Sequence, residues 1–385
     1  MNGTLIHSVD LITDGARAPG SWVRFANGSV DEIGTGDGWR RAADPARLAE
    51  VVDGRGMILT PGFIDLHVHG GGGHANEDGA AAIRASLDAH RAHGTTRAVL
   101  SFVSDRPTAL RPRLAEVAEL ARTDTAVLGS HLEGPFLSDR YRGAHDPERL
   151  TLPAEDEIEA LIDAARGTLR QVTLAPELPG GTAAIPRLIA AGAAVAVGHT
   201  SAGYETALAA FDAGASILTH AFNAMPPLHH RDPGPVGAAL ASPHVTLELI
   251  NDGVHVHPVL AGTLFARAPG RVALVTDAVA AACARDGEYA LGALAVTVRD
   301  GVARLRDGGA IAGSTLTLDA ALRRSVSVCG VELTEAVRAL TETPAAAIGR
   351  AGDLGSLRAG YAADAVLLDR ELAVRRVWTA GYSEA

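Results

Sequence analysis

The feature that most constrains this chain is an alternation. Apolar, strand-like runs recur at 62–69, 96–103, 126–131, 169–175, 193–199, 216–220, 245–251 and 272–277. Helix-like stretches fall between most of them, at 79–93, 106–121, 155–166, 185–191 and 204–213. Strands separated by helices pair in parallel, and eight such units close into a (β/α)8 TIM-like barrel. The two chain ends read differently. Short alternating runs at 4–9, 21–25 and 29–33, and again at 363–369 and 373–379, are broken by glycine and aspartate. They predict a small β-sandwich domain assembled from 1–59 and 350–385, with the barrel occupying 60–349. A hairpin-like insert at 288–306 follows the eighth strand, and helices at 315–328 and 334–340 lead out of the barrel.

Composition narrows the function classes. A chain of 385 residues, 47% of them hydrophobic, can bury a barrel-sized core. Its formal net charge of −11 argues against nucleic acid or an anionic membrane as partner, since both demand a basic face. Two cysteines, Cys283 and Cys329, are too few for a disulfide framework. No stretch approaches the roughly 18 apolar residues of a membrane span. A cytoplasmic location is expected. The Gly70–Gly73 run reads as a turn rather than a phosphate loop, because no Gly-Lys-[Ser/Thr] follows it.

Chemistry-bearing residues cluster at the ends of the strand-like runs. The first run ends in His67-Val68-His69, whose side chains share one face because strand side chains alternate. The third ends in His131-Leu132-Glu133, the fifth in His199, the sixth in His220 and the eighth in Asp277. In a barrel these ends meet at one rim. Buried His, Glu and Asp are costly unless paired or bound to metal. His67 and His69 would hold one divalent ion and His199 with His220 a second, with Glu133 shared or serving the second site. Asp277 would stand over an attacking water as proton acceptor and donor. That is the equipment for hydrolysing an amide.

Longer motifs carry a resemblance. The segments 61–70 and 355–364 match the first-strand and C-terminal signatures of the amidohydrolase superfamily. His131-Leu132-Glu133-Gly134-Pro135-Phe136, Arg142-Gly143-Ala144-His145, Val197-Gly198-His199-Thr200, 219–226, 251–255 and Ala312-Gly313-Ser314 are more specific. Together they resemble the N-acetylglucosamine-6-phosphate deacetylases. The resemblance implies deacetylation of N-acetyl-D-glucosamine 6-phosphate to D-glucosamine 6-phosphate and acetate, within amino-sugar catabolism and cell-wall recycling. It makes Glu133, His199 and His220 metal ligands and Asp277 the acid/base, with His145 donating to the developing oxyanion. Ala144, His145, Asn223, Ala224, Asp252, Gly253, Val254 and His255 become substrate contacts, and Ile311, Ala312 and Gly313 close over the ligand. Arg231 and His255 would grip the phosphate, with Arg231 reaching in from a neighbouring subunit of a homodimer. One or two ions per subunit are implied, zinc first, with iron, cobalt or manganese as substitutes. His229, His230 and His257 are left outside the site.

Two other readings compete. An amidohydrolase acting on another N-acyl or cyclic amide would keep the chemistry. Leu174-Ala175-Pro176-Glu177 offers no lysine to be carbamylated at the end of strand four, which disfavours dihydroorotase-like members. A non-catalytic scaffold would be expected to have shed ligands, and this chain has kept them all.

Overall fold

The computed structural model describes residues 3–44 and 48–383; the remaining residues of the expected small domain (1–2, 45–47 and 384–385) lie outside the described residues. Eight parallel strands form the central sheet: β1 (Phe63–Val68), β2 (Thr95–Val103), β3 (Val127–Glu133), β4 (Leu169–Leu174), β5 (Ala194–Val197), β6 (Ile217–Leu218), β7 (Thr246–Leu249) and β8 (Val272–Leu274). Their order in the sheet is their order in the chain. The expected barrel is therefore present. The barrel strands are buried along nearly their whole length, because helices cover the outside and side chains fill the lumen.

The seam between first and last strand is closed beyond the end of β8. Val68 bridges Ala278 in parallel. Asp277 N–H donates to the His67 carbonyl at 2.8 Å, and His69 N–H to that of Ala278 at 2.8 Å. The glycine run then continues the lacing: the N–H groups of Gly70, Gly72 and Gly73 donate to the carbonyls of Ala278, Ala282 and Ala280 at 3.0, 2.7 and 2.8 Å. Gly72 and Gly73 have φ of 63° and 90°, a backbone that glycine adopts at no steric cost.

Both chain ends enter one seven-stranded sheet. Gly3–Thr13 pairs with Ala16–Ala26, Leu48–Asp53 and Ile58–Pro61, and Ala365–Leu368 joins Ile58–Pro61 to Val374–Trp378. Ile6, Val9, Leu11, Val23, Phe25, Leu59, Leu367 and Trp378 make its separate core. This sheet is tied to the barrel floor by a buried ion pair. Arg97, near the start of β2, meets Asp364 with Nε–Oδ2 at 2.6 Å and Nη2–Oδ1 at 3.0 Å, and each residue is 6% exposed.

The insert after β8 has three antiparallel strands, Gly287–Leu291, Leu294–Arg299 and Val302–Leu305, where the sequence suggested a hairpin. Its Leu291, Val296 and Val298 pack with Val103, Val279 and Ala312. Two helices that the sequence reading passed over, Gly234–Ala241 and Pro258–Arg267, complete the outer layer.

Candidate active site

Every strand that carries a proposed ligand delivers it to the same rim. His67 lies within β1 and His69 one residue past it, while Glu133 is the last residue of β3. His199, His220 and Asp277 sit just beyond β5, β6 and β8. These last three adopt positive φ, 47°, 26° and 48°. Such backbone costs on the order of 1–3 kcal/mol per non-glycine residue and persists only where the surroundings impose it. Here it turns each chain inward at the point where a strand would otherwise run on.

The resulting cluster is tight and buried. His67 Nε2 and His69 Nε2 are 3.1 Å apart, and His199 Nε2 and His220 Nε2 are 3.0 Å apart. Glu133 Oε1 is 3.0 Å from His199 Nε2 and 3.1 Å from His220 Nε2, while its Oε2 is 3.2 Å from His69 Nε2. Asp277 Oδ1 lies 3.3 Å from His69 Nε2 and 3.5 Å from His67 Nε2. Imidazole nitrogens facing one another at such separations, out of water, need a proton or a cation between them. Burial alone would raise the Glu133 carboxyl, yet His67, His145, His199 and His220 hold it well below the usual range. Burial likewise opposes charge on His69, but Asp277 and Glu133 lift it to about 9. His/carboxylate sets of this kind fit a divalent cation, which would take the place of those protons.

The ring nitrogens that face away assign tautomers. His199 Nδ1–H donates to the Tyr141 carbonyl at 2.9 Å, and His67 Nδ1–H to Glu248 Oε2 at 3.3 Å, which leaves both Nε2 lone pairs free for an ion. His145 is the reverse. Its Nδ1 accepts the Ser104 N–H at 3.2 Å, so in the neutral ring Nε2 carries the proton and points at Glu133 Oε2, 3.4 Å away. It is equipped as a hydrogen-bond donor into the site rather than as a ligand.

A cleft of about 270 Å³ opens over the cluster. His69, Glu133, Ala144, His145, His199, His220, Asn223, Ala224, His255, Asp277, Ile311 and Gly313 line it, as do Val103, Gly143, Ile250, Leu291 and Ala310. Of the residues singled out in the sequence, His67 lies beneath the cleft at 0% exposure, and Ala312 is buried against Val279 and Leu291. Asp252 stands behind the lining: its Oδ2 accepts from His255 Nδ1 at 2.7 Å, and its Oδ1 from the N–H groups of Val254 and His255. Burial opposes charge on His255, but Asp252 outweighs it and raises the imidazole above its ordinary value. Gly253, Val254 and Arg231 are exposed and outside the lining of this chain's cleft.

A polar layer inside the barrel has no role in the sequence reading. His131, fully buried, is held between Ser101 Oγ at 2.9 Å and Thr173 Oγ1 at 2.8 Å. Glu248 accepts from Gln171 Nε2 at 2.7 Å. Asp65, also at 0% exposure, is pushed up to about 6 by burial, against the Thr276 hydroxyl that donates to it at 2.6 Å.

A parallel eight-stranded barrel with imidazoles and carboxylates converging at its C-terminal rim defines a hydrolase of the metal-dependent barrel class. The chain belongs to the amidohydrolase family, whose pattern it matches over residues 58–382. It is 39% identical over 349 residues to the N-acetylgalactosamine-6-phosphate deacetylase of Escherichia coli O157:H7, covering 90% of this chain and 92% of that one. Over 362 residues it is 37% identical to the N-acetylglucosamine-6-phosphate deacetylase of Vibrio furnissii (92% and 88% coverage). Among solved structures it superimposes with a TM-score of 0.93 and 38% identity on an aspartate-to-alanine variant of N-acetyl-D-glucosamine-6-phosphate deacetylase from Mycobacterium smegmatis, in complex with N-acetyl-D-glucosamine-6-phosphate. That match covers 100% of this chain and 99% of the other.

Proposed function

We propose that this chain hydrolyses N-acetyl-D-glucosamine 6-phosphate to D-glucosamine 6-phosphate and acetate. The observation that carries the reading is one cleft with a buried ligand cluster, an oriented donor and a charge-favouring histidine, in a chain so similar to deacetylases of that class. His67 and His69 would hold one divalent ion and Glu133, His199 and His220 another, zinc being the first candidate. When bound, such an ion supplies an acidified water and polarises an acyl oxygen.

The chain's own groups do the rest. The Asp277 carboxyl, which burial would raise, is held below its ordinary value by His67 and His69, so it is available as a base at neutral pH. It takes the proton of the attacking water and returns it to the sugar nitrogen as the C–N bond breaks. His145 Nε2–H donates to the acyl oxygen as that oxygen gains charge. His255, whose charged form Asp252 favours, faces the phosphate, and Arg231 of a second subunit completes the grip in a homodimer. Ala144, Asn223, Ala224, Ile311 and Gly313 wall the sugar. Asp252 and Ala312 act from behind this wall, and Gly253 and Val254 from its exposed edge.

The small unit is taken as 1–59 with 350–385 and the catalytic unit as 60–349. No described helix is long and apolar enough to cross a membrane, and a cytoplasmic location suits the proposed substrate. Acetate release from N-acetylglucosamine 6-phosphate, its galacto epimer and both unphosphorylated sugars, coupled to metal analysis, tests the reading. Preference for the phosphorylated gluco substrate is expected. Equal rates with and without phosphate would overturn the role of His255 and Arg231, and no release from any of them would overturn the whole assignment.

A further inference from the structure

Glu248 stands out among the buried groups that this mechanism leaves unused. It lies in β7 at 0% exposure, below the cleft and not among its lining residues. A carboxyl in such a place is costly unless every lone-pair direction is met. Its contacts are specific. Oε1 accepts from Gln171 Nε2 at 2.7 Å; Oε2 accepts from the backbone N–H of His220 at 3.3 Å and meets His67 Nδ1 at 3.3 Å.

Two of these partners are N–H donors, one to each oxygen, so the carboxylate serves as acceptor on both. The third contact then completes the set with Nδ1–H of His67 donating. That tautomer leaves the His67 Nε2 lone pair facing His69 Nε2, Glu133 Oε1 and Asp277 Oδ1, at 3.1, 3.4 and 3.5 Å. The two ligand pairs are thus oriented by different partners: a neutral carbonyl, that of Tyr141, behind His199, and a carboxylate behind His67. A carboxylate makes the imidazole a stronger donor than a carbonyl does, and losing such an outer partner typically weakens metal binding 10–100-fold.

We propose that Glu248 is the positioning residue that gives the first-strand pair its ion, so that it governs whether this protein holds one divalent cation or two. The inference rests on the reading of the rim as an ion site, not on which acetylated sugar is cleaved. Glu248 reaches both half-sites through one oxygen, but only at His67 does it touch a ligand ring. At His220 it touches backbone, and the His220 Nδ1 has no hydrogen-bond partner among the described residues. Its loss should therefore be felt unequally.

The test titrates Zn²⁺ into metal-free full-length protein by calorimetry, with metal content after dialysis as a second measurement. Glu248→Gln is close to isosteric, and a turn of the Gln171 amide lets the new amide keep all three contacts without the charge. The wild type should bind two ions. Glu248→Gln should bind one as before and the other 10–100-fold more weakly, and His67→Ala should lose that same ion. Glu248→Asp, which keeps the charge on a shorter arm, should recover part of the difference. Co²⁺ absorption should show one of two bands lost in Glu248→Gln. A purely structural role predicts instead equal weakening of both ions together with a lower apo-protein Tm. That result overturns the proposal, as would unchanged affinities or a single ion in the wild type. Failure of the sugar-phosphate assay leaves these binding results standing, so the two readings fail separately.

Discussion

The rim and the floor of the barrel both bury charge, and they do so in opposite ways. At the floor, Arg97 and Asp364 form a two-point pair of opposite charges, and the Ala380 N–H also donates to Asp364. Their charges cancel locally. At the rim, imidazole nitrogens face imidazole nitrogens, and two carboxylates are shared among five histidines. Burial of charge is therefore no mark of function by itself; what distinguishes the site is a set of metal-capable side chains converging on one open cleft.

That contrast can be broken by experiment. The largest effect is expected at the rim: Asp277→Asn should lower kcat by about 10²–10⁴ while Tm and metal content stay near wild type. A loss below tenfold would remove Asp277 from proton transfer. Asp364→Ala at the floor should do the converse. It strands the Arg97 guanidinium, costing about 3–5 kcal/mol of stability in denaturant titration, with kcat per folded molecule unchanged. Activity lost without stability would mean that the floor pair is not merely structural.

Metal addition should then separate the two regions again. At about 100 times its dissociation constant, each bound Zn²⁺ should raise the unfolding free energy of apo protein by about 2.7 kcal/mol. The increment should be the same in Asp364→Ala, and in a Glu133→Ala, His199→Ala double variant the share of the second ion should be lost.

The smallest effect lies away from both regions, at a conventional ion pair. His93 Nδ1 meets Asp319 Oδ1 at 3.2 Å. That hydrogen bond, with help from the Cys283 thiol and against partial burial, lifts His93 to about 10. A histidine raised in the folded state stabilises fully below its unfolded value of about 6.5, and the contribution fades as pH climbs towards 10. His93→Gln should thus lower Tm at pH 6 and leave it nearly unchanged at pH 10. A pH-independent difference would rule out the linkage.

How much of this was legible follows from the same contrast. Strand ends announce themselves, because an apolar run that stops at His or Asp changes character abruptly, and the rim ligands all lie there. Residues within the strands do not. The run at 245–251 reads as a barrel strand, but Glu248 within Thr246-Leu247-Glu248-Leu249 carries no mark of its own, since alternation looks the same whether the polar face meets solvent or a polar lumen. His131 was named at its strand end but given no role. The helix Gly234–Ala241, built largely of alanine and glycine, lacks the polar stripe by which periodicity reveals a helix. Gly253 lay in a recognisable motif and Arg231 outside any, and an exposed loop position has no internal signal of what it meets.

The lacing of Gly70–Gly73 to Ala278–Ala282 has a last consequence. His67 and His69 open the barrel and Asp277 ends it, some two hundred residues later in the chain, and only circumferential closure makes them neighbours. A chain whose join is not made would leave His67 and His69 apart from Asp277. Hydrolytic power in this molecule is thus switched on by completion of the ring itself.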